Sequence, residues 1–76
     1  MSGREHGDEP LYWDASFALA RRLRDEHPEA NLESVSLEMI YNWSLALPDF
    51  ADDPELANDD LLHAIYQEWY EETHPL

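Results

Sequence analysis

Cysteine is absent from this chain, which excludes a disulfide framework, a thiol nucleophile and a thiolate metal site. Glycine occurs only at positions 3 and 7, so the rest of the sequence cannot hold a Gly-rich phosphate loop. No stretch approaches the roughly 18–20 consecutive apolar residues that a membrane-spanning helix needs. Positive charge is scarce: 4 basic residues stand against 18 acidic ones, a formal net charge of −14. Such a chain repels nucleic-acid phosphates and anionic lipid. Metal cations and basic protein surfaces are its natural partners, with encounter rates that fall as salt rises. The lack of stapling and of a signal-like apolar run fits a reducing, cytoplasmic setting.

What is present argues for folding rather than disorder. Hydrophobic residues make up 43% of the chain, with three Trp, four Tyr and two Phe to supply a core. At 76 residues there is room for one small domain, which hides only about 60% of its unfolded surface and leaves little depth for an active site.

The stretch that organises the chain is Leu47-Pro48-Asp49-Phe50-Ala51-Asp52-Asp53-Pro54-Glu55-Leu56-Ala57-Asn58-Asp59-Asp60. Pro48 drives Leu47 out of the helical region, so a preceding helix stops there. Asn58 is a good N-cap ahead of Asp59 and Asp60, whose charges suit the positive end of a helix. Phe50 is the one bulky apolar group placed to pin the turn between, and it is expected to lie buried beneath the turn while Asp49, Asp52 and Asp53 project from it. Two carboxylates about 6 Å apart in water repel by roughly 0.7 kcal/mol, a cost that a cation or a basic protein surface would relieve.

Taken in order, residues 1–10 are polar and aperiodic and read as a flexible leader. Asp14 is a plausible cap for a first helix in which Trp13, Phe17, Ala20, Leu23 and Arg24 recur at helical spacing, and Pro28 ends it after His27. Arg21, Arg22 and Arg24 cluster on that helix, read as a solvated face paired with Asp25, Glu26 or the acidic stretch. Residues 29–36 form a short extended connection anchored by Leu32, Val35 and Leu37. A second helix follows, capped by Ser36 or Glu38, with Leu37, Ile40, Trp43, Ser44 and Leu47 on one face. Asp53-Pro54-Glu55 offers one short extra turn, since proline is welcome at a first helical position. The third helix buries Leu61, Leu62, Ile65, Trp69 and part of Tyr66. Residues 73–76 are expected to fray. The fold class is all-α: a small three-helix domain over residues 11–72 with little or no sheet.

Catalytic signatures are missing. There is no H-E-x-x-H, no EF-hand spacing, and no serine with a histidine in a familiar arrangement. A general acid or base needs a sheltered site that shifts its pKa, and nothing marks one. His63, near Asp59 and Asp60, is a minor candidate for a cation ligand. The residues describe a binding protein.

The ordered series Leu11-Tyr12-Trp13-Asp14, His27-Pro28, Val35-x-Leu37, Trp43, Leu47-Pro48-Asp49-Phe50-Ala51-Asp52-Asp53-Pro54, Asn58-Asp59 and Leu62-x-Ala64-Ile65-x-x-x-Trp69-x-x-Glu72 resembles the IscX (YfhJ-like) family of iron–sulfur cluster assembly proteins. The resemblance runs from about Leu11 to Glu72. It implies a helical domain likened to a modified winged helix. It also implies an adaptor that binds the cysteine desulfurase IscS through its acidic surface, in competition with frataxin, and that modulates sulfur transfer or donates iron; the chain is expected to be a monomer. By position, Asp49, Asp52, Asp53 and Asp59 are the residues implied for both the partner contact and weak binding of iron ions, with no tightly bound cofactor. The chain departs from the family's usual pattern at Ala51, Met39 and His63, each where an acid is common. Two readings compete with this adaptor role: an acidic nucleic-acid mimic that fills a basic groove on a DNA-binding protein and, ranked last, a carboxylate-metal enzyme.

Overall fold

A computed structural model describes residues 10–73. Three α-helices carry the fold: α1 (Ser16–Glu26), α2 (Leu37–Ala46) and α3 (Asp59–Thr73). Two 3₁₀ turns, Leu32–Ser34 and Pro54–Leu56, lead into α2 and α3. Among the described residues there is no strand, only an isolated parallel bridge between Leu11 and Phe50. The all-α reading therefore holds. Residues 1–9 of the leader and the last three residues lie outside the described range, and Thr73, expected to fray, is the last residue of α3.

Local chemistry explains most of the boundaries. Ser36 caps α2, its Oγ accepting from Met39 N at 3.2 Å, while Met39 Sδ accepts in return from Ser36 N at 3.5 Å. A thioether here takes the place of the usual Glu or Gln of a capping box, a weaker acceptor in the same geometry. Asn58 caps α3 as expected, its Oδ1 accepting from Leu61 N at 2.9 Å. Asp53 caps the 3₁₀ turn begun by Pro54, its Oδ1 accepting from Glu55 N at 3.0 Å. At the end of α1, His27 N donates to Leu23 O at 2.8 Å and Pro28 prevents continuation. The connection to α2 is not simply extended: the Leu32–Ser34 turn is capped by Asn31, whose Oδ1 accepts from Glu33 N at 3.0 Å.

The start and the phase of α1 differ from the sequence reading. Trp13 lies before the helix in a turn closed by Ala15 N donating to Tyr12 O at 2.9 Å. The N-cap is Ala15, which offers no side-chain acceptor, and Asp14 is exposed. Counting Trp13 into the helical period rotated the expected face. The buried stripe is Leu19, Ala20 and Leu23, whereas Phe17 is 49% exposed, with the Arg21 guanidinium 5.6 Å from its ring centre.

The core joins Leu11, Trp13, Leu19, Ala20, Leu23, Leu32, Ile40, Leu47, Leu62, Ile65 and Trp69. Helices α1 and α3 share the largest interface, and α2 packs more on α3 than on α1. Trp43 borders this core, stacked on His27 at 4.0 Å and tilted against Trp69 at 6.1 Å. Tyr66, partly buried, donates its hydroxyl to Leu32 O at 3.2 Å, which ties α3 to the turn before α2. Ser44 is the misfit. Its hydroxyl is fully buried on the inner face of α2 with no hydrogen-bond partner among the described residues. A buried, unpaired hydroxyl costs about 1–3 kcal/mol, and alanine is the better helix former. Ser44→Ala should therefore raise the stability of the domain, by about 1 kcal/mol in urea unfolding. A loss of stability on that change would mean that the hydroxyl has a partner.

Candidate functional site

The acidic stretch is not a loose connector. Its backbone is laced to the entry segment: Leu11 N donates to Asp49 O at 2.9 Å, and Ala51 N donates to Leu11 O at 2.9 Å. Trp13 adds two more bonds. Its backbone N donates to Asp52 Oδ2 at 2.9 Å, and its indole Nε1 donates to Asp53 O at 2.8 Å. The indole is 1% exposed, stacked on Tyr41 of α2 at 5.8 Å and met edge-on by Phe50 at 4.7 Å. One side chain thus joins the entry, the acidic stretch and α2. Phe50 pins the turn as expected, although it is only partly buried.

The four candidate carboxylates fall into two groups. Asp49 and Asp52 do not project freely. Asp49 Oδ2 accepts from Arg22 Nη1 of α1 at 2.7 Å, each side chain 23% exposed. Asp52 divides its oxygens between two backbone donors, Oδ2 for Trp13 N and Oδ1 for Asp53 N at 2.7 Å. The reason is local. A backbone held so close to residues 11–13 turns N–H groups toward the stretch, and a carboxylate is the strongest acceptor available. Asp53 and Asp59 are exposed. Asp53 uses only Oδ1 in its cap, and Asp59 makes no side-chain hydrogen bond or ion pair among the described residues. Glu55 and Asp60 are exposed in the same way, so the surface from the 3₁₀ turn into the first turn of α3 is strongly negative. The positive end of α3 tolerates Asp59 and Asp60 there.

The arginines behave largely as the sequence indicates. Arg22 pairs with the acidic stretch, and Arg24 reaches both Asp25 at 3.4 Å and Glu72 of α3 at 2.6 Å. Glu72 was not among the expected partners, because nothing in a linear sequence brings α3 beside α1. Sequence reasoning also missed the specific jobs of Arg22 and Trp13. Three arginines in an acidic chain signal that some acid is neutralised, but not which. A shallow cleft between the end of α1 and α3 includes Arg24, His27 and Trp69. Among the described residues its one arginine is already matched by Glu72 and Asp25, which leaves no unpaired arginine there to draw an anion.

No group of three or more His, Asp or Glu side chains converges to hold a metal ion among the described residues. The candidate acids do not converge on a preformed iron site: one is ion-paired, one is satisfied by amides, and two are exposed. His63 is exposed and tilted toward the Tyr66 ring at 6.3 Å. No described helix is long and apolar enough to cross a membrane.

These features define a small helical domain with an acidic face hydrogen-bonded to its entry segment. A family model described as iron–sulphur cluster assembly matches residues 11–74, and the chain belongs to that family, the IscX (YfhJ-like) proteins. It is also 32% identical over 62 residues to an uncharacterised protein of Pseudomonas aeruginosa, covering 82% of this chain and 94% of the relative. The matched span runs from the first residue of the bridge, Leu11, to one position past the end of α3.

Proposed function

We propose that this chain is an acidic adaptor of iron–sulfur cluster assembly that docks, as a monomer in the cytoplasm, on a basic surface of the cysteine desulfurase IscS. In this role it performs no turnover of its own and modulates sulfur transfer from the desulfurase, in competition with frataxin. The observation that carries the reading is the presentation of Asp53, Glu55, Asp59 and Asp60, exposed and without basic partners among the described residues, on a segment tied down by the bonds from Leu11 and Trp13. In an assembly-family chain of net charge −14, such a face is complementary to a basic patch and steers its approach. Calorimetric titration into purified desulfurase at low salt tests it. Saturable binding that frataxin displaces is the expected result. Absence of binding at micromolar concentrations would sink the proposal.

Iron ions are taken here as cargo rather than as a resident group. A hard cation wants several oxygens in one cage, and the exposed acids offer scattered carboxylates instead. Ferrous or other divalent cations should therefore bind weakly and at several positions. Under anaerobic calorimetry, one tight stoichiometric site would contradict this.

A further inference from the structure

Asp49 already holds a cation of a definite kind. Its carboxylate takes an arginine guanidinium at 2.7 Å, in a contact that solvent still reaches on both sides. The other arginines of α1 are engaged elsewhere, Arg24 with Glu72 and Asp25, and Arg21 over the Phe17 ring. Among the acids from Asp49 to Asp60, only Asp49 is matched by a basic side chain of the described chain.

We propose that Arg22 is an internal counter-cation that withholds Asp49 from a basic partner, and that the chemistry suited to displace it is another arginine. The proposal rests on the docking reading above and deepens it. A guanidinium matches a carboxylate with two parallel donors, whereas an ammonium offers a point charge. Exchanging Arg22 for a partner's arginine leaves the Asp49 carboxylate with an equivalent bond. Asp49 then adds little net affinity while Arg22 is present, and it favours arginine over lysine on the incoming surface. Removing Arg22 frees the carboxylate beside a surface that is already negative.

The test compares Arg22→Gln with Arg21→Gln. Both remove one positive charge from α1, so the long-range attraction grows alike in the two variants. Only Arg22→Gln releases Asp49. Each variant, alone and combined with Asp49→Asn, is titrated at low salt into a hexa-arginine peptide and, separately, into cysteine desulfurase. Arg22→Gln is expected to bind at least about three-fold more tightly than Arg21→Gln, the size of a modest charge-assisted contact. Adding Asp49→Asn should remove that excess, and Asp49→Asn should cost more in the Arg22→Gln background than in the wild type. Should circular dichroism show that Arg22→Gln has lost its helices, Arg22→Met keeps the aliphatic stem and replaces it. Equal binding of hexa-arginine by the two arginine variants, or a smaller effect of Asp49→Asn without Arg22, would overturn the proposal. If the peptide series shows the excess but desulfurase binds no form of the protein, the docking reading fails and the role of Arg22 stands.

Discussion

Replacing Trp13 by alanine should destabilise the domain by about 3–5 kcal/mol, the usual cost of deleting a large buried aromatic side chain. Three losses combine at this position. The indole leaves a void beside Tyr41 and Phe50, Asp53 O loses its donor, and the turn ahead of α1 loses its anchor. At roughly 0.05–0.15 kcal/mol per residue, a chain of 76 residues has only about 4–11 kcal/mol in total. A shift of about 4–8 °C in Tm per kcal/mol then places the variant's unfolding at least ~12 °C below that of the wild type. Trp13→Phe separates the contributions, since it keeps an aromatic ring for Phe50 and Tyr41 but removes the Nε1 donor. It should cost about 1–3 kcal/mol, from the lost hydrogen bond and the smaller ring. Thermal and urea unfolding followed by circular dichroism measure both. A loss below about 1 kcal/mol for Trp13→Ala would show that the entry segment is not what secures the acidic stretch.

How much of this was legible in the sequence depended on how local each determinant was. Helices α2 and α3 were readable because their starts are set by a side chain a few residues away, Ser36 and Asn58, and because Pro48 stops α2. The turn at Pro54 was readable for the same reason. Helix α1 was located but rotated, because Trp13 is apolar, adjacent and almost in phase, yet belongs to the turn before the helix. Periodicity cannot separate a residue that continues a stripe from one that caps the core beside it. The Leu32–Ser34 turn was missed because three residues carry no period. The link between Leu11 and Phe50 was out of reach, since a single bridge across 39 positions leaves no strand pattern. The same applies to the candidate site. Position and resemblance named Asp49, Asp52, Asp53 and Asp59, but only the fold shows that Arg22 and the Trp13 amide claim the first two.

That division changes which substitutions report on docking. Reversal of Asp52 to Lys would place a cation against the Trp13 and Asp53 amides, so any loss of binding would be confounded with damage to the stretch. Asp53 and Asp59 are the better pair. Asp59 has no side-chain partner among the described residues, and Asp53 caps a single 3₁₀ turn through one oxygen. Asp53→Lys with Asp59→Lys moves the formal net charge from −14 to −10, four units from two reversals, and turns two attractive positions into repulsive ones. Affinity for the desulfurase should fall by at least about 100-fold at low salt, roughly 1.4 kcal/mol or more for each reversed position. Helical content should survive, because neither position touches the core, although lysine at the start of α3 opposes the helix dipole and costs up to about 1 kcal/mol. The wild type should weaken steeply as added salt shortens the Debye length from about 30 Å at 0.01 M to about 8 Å at 0.15 M. The doubly reversed protein should show a shallower dependence, having lost the steering charges. The measurement is a titration of both proteins into desulfurase across that salt range, with circular dichroism to verify the fold. Equal affinities that do not respond to salt would mean that the acidic face serves the fold alone.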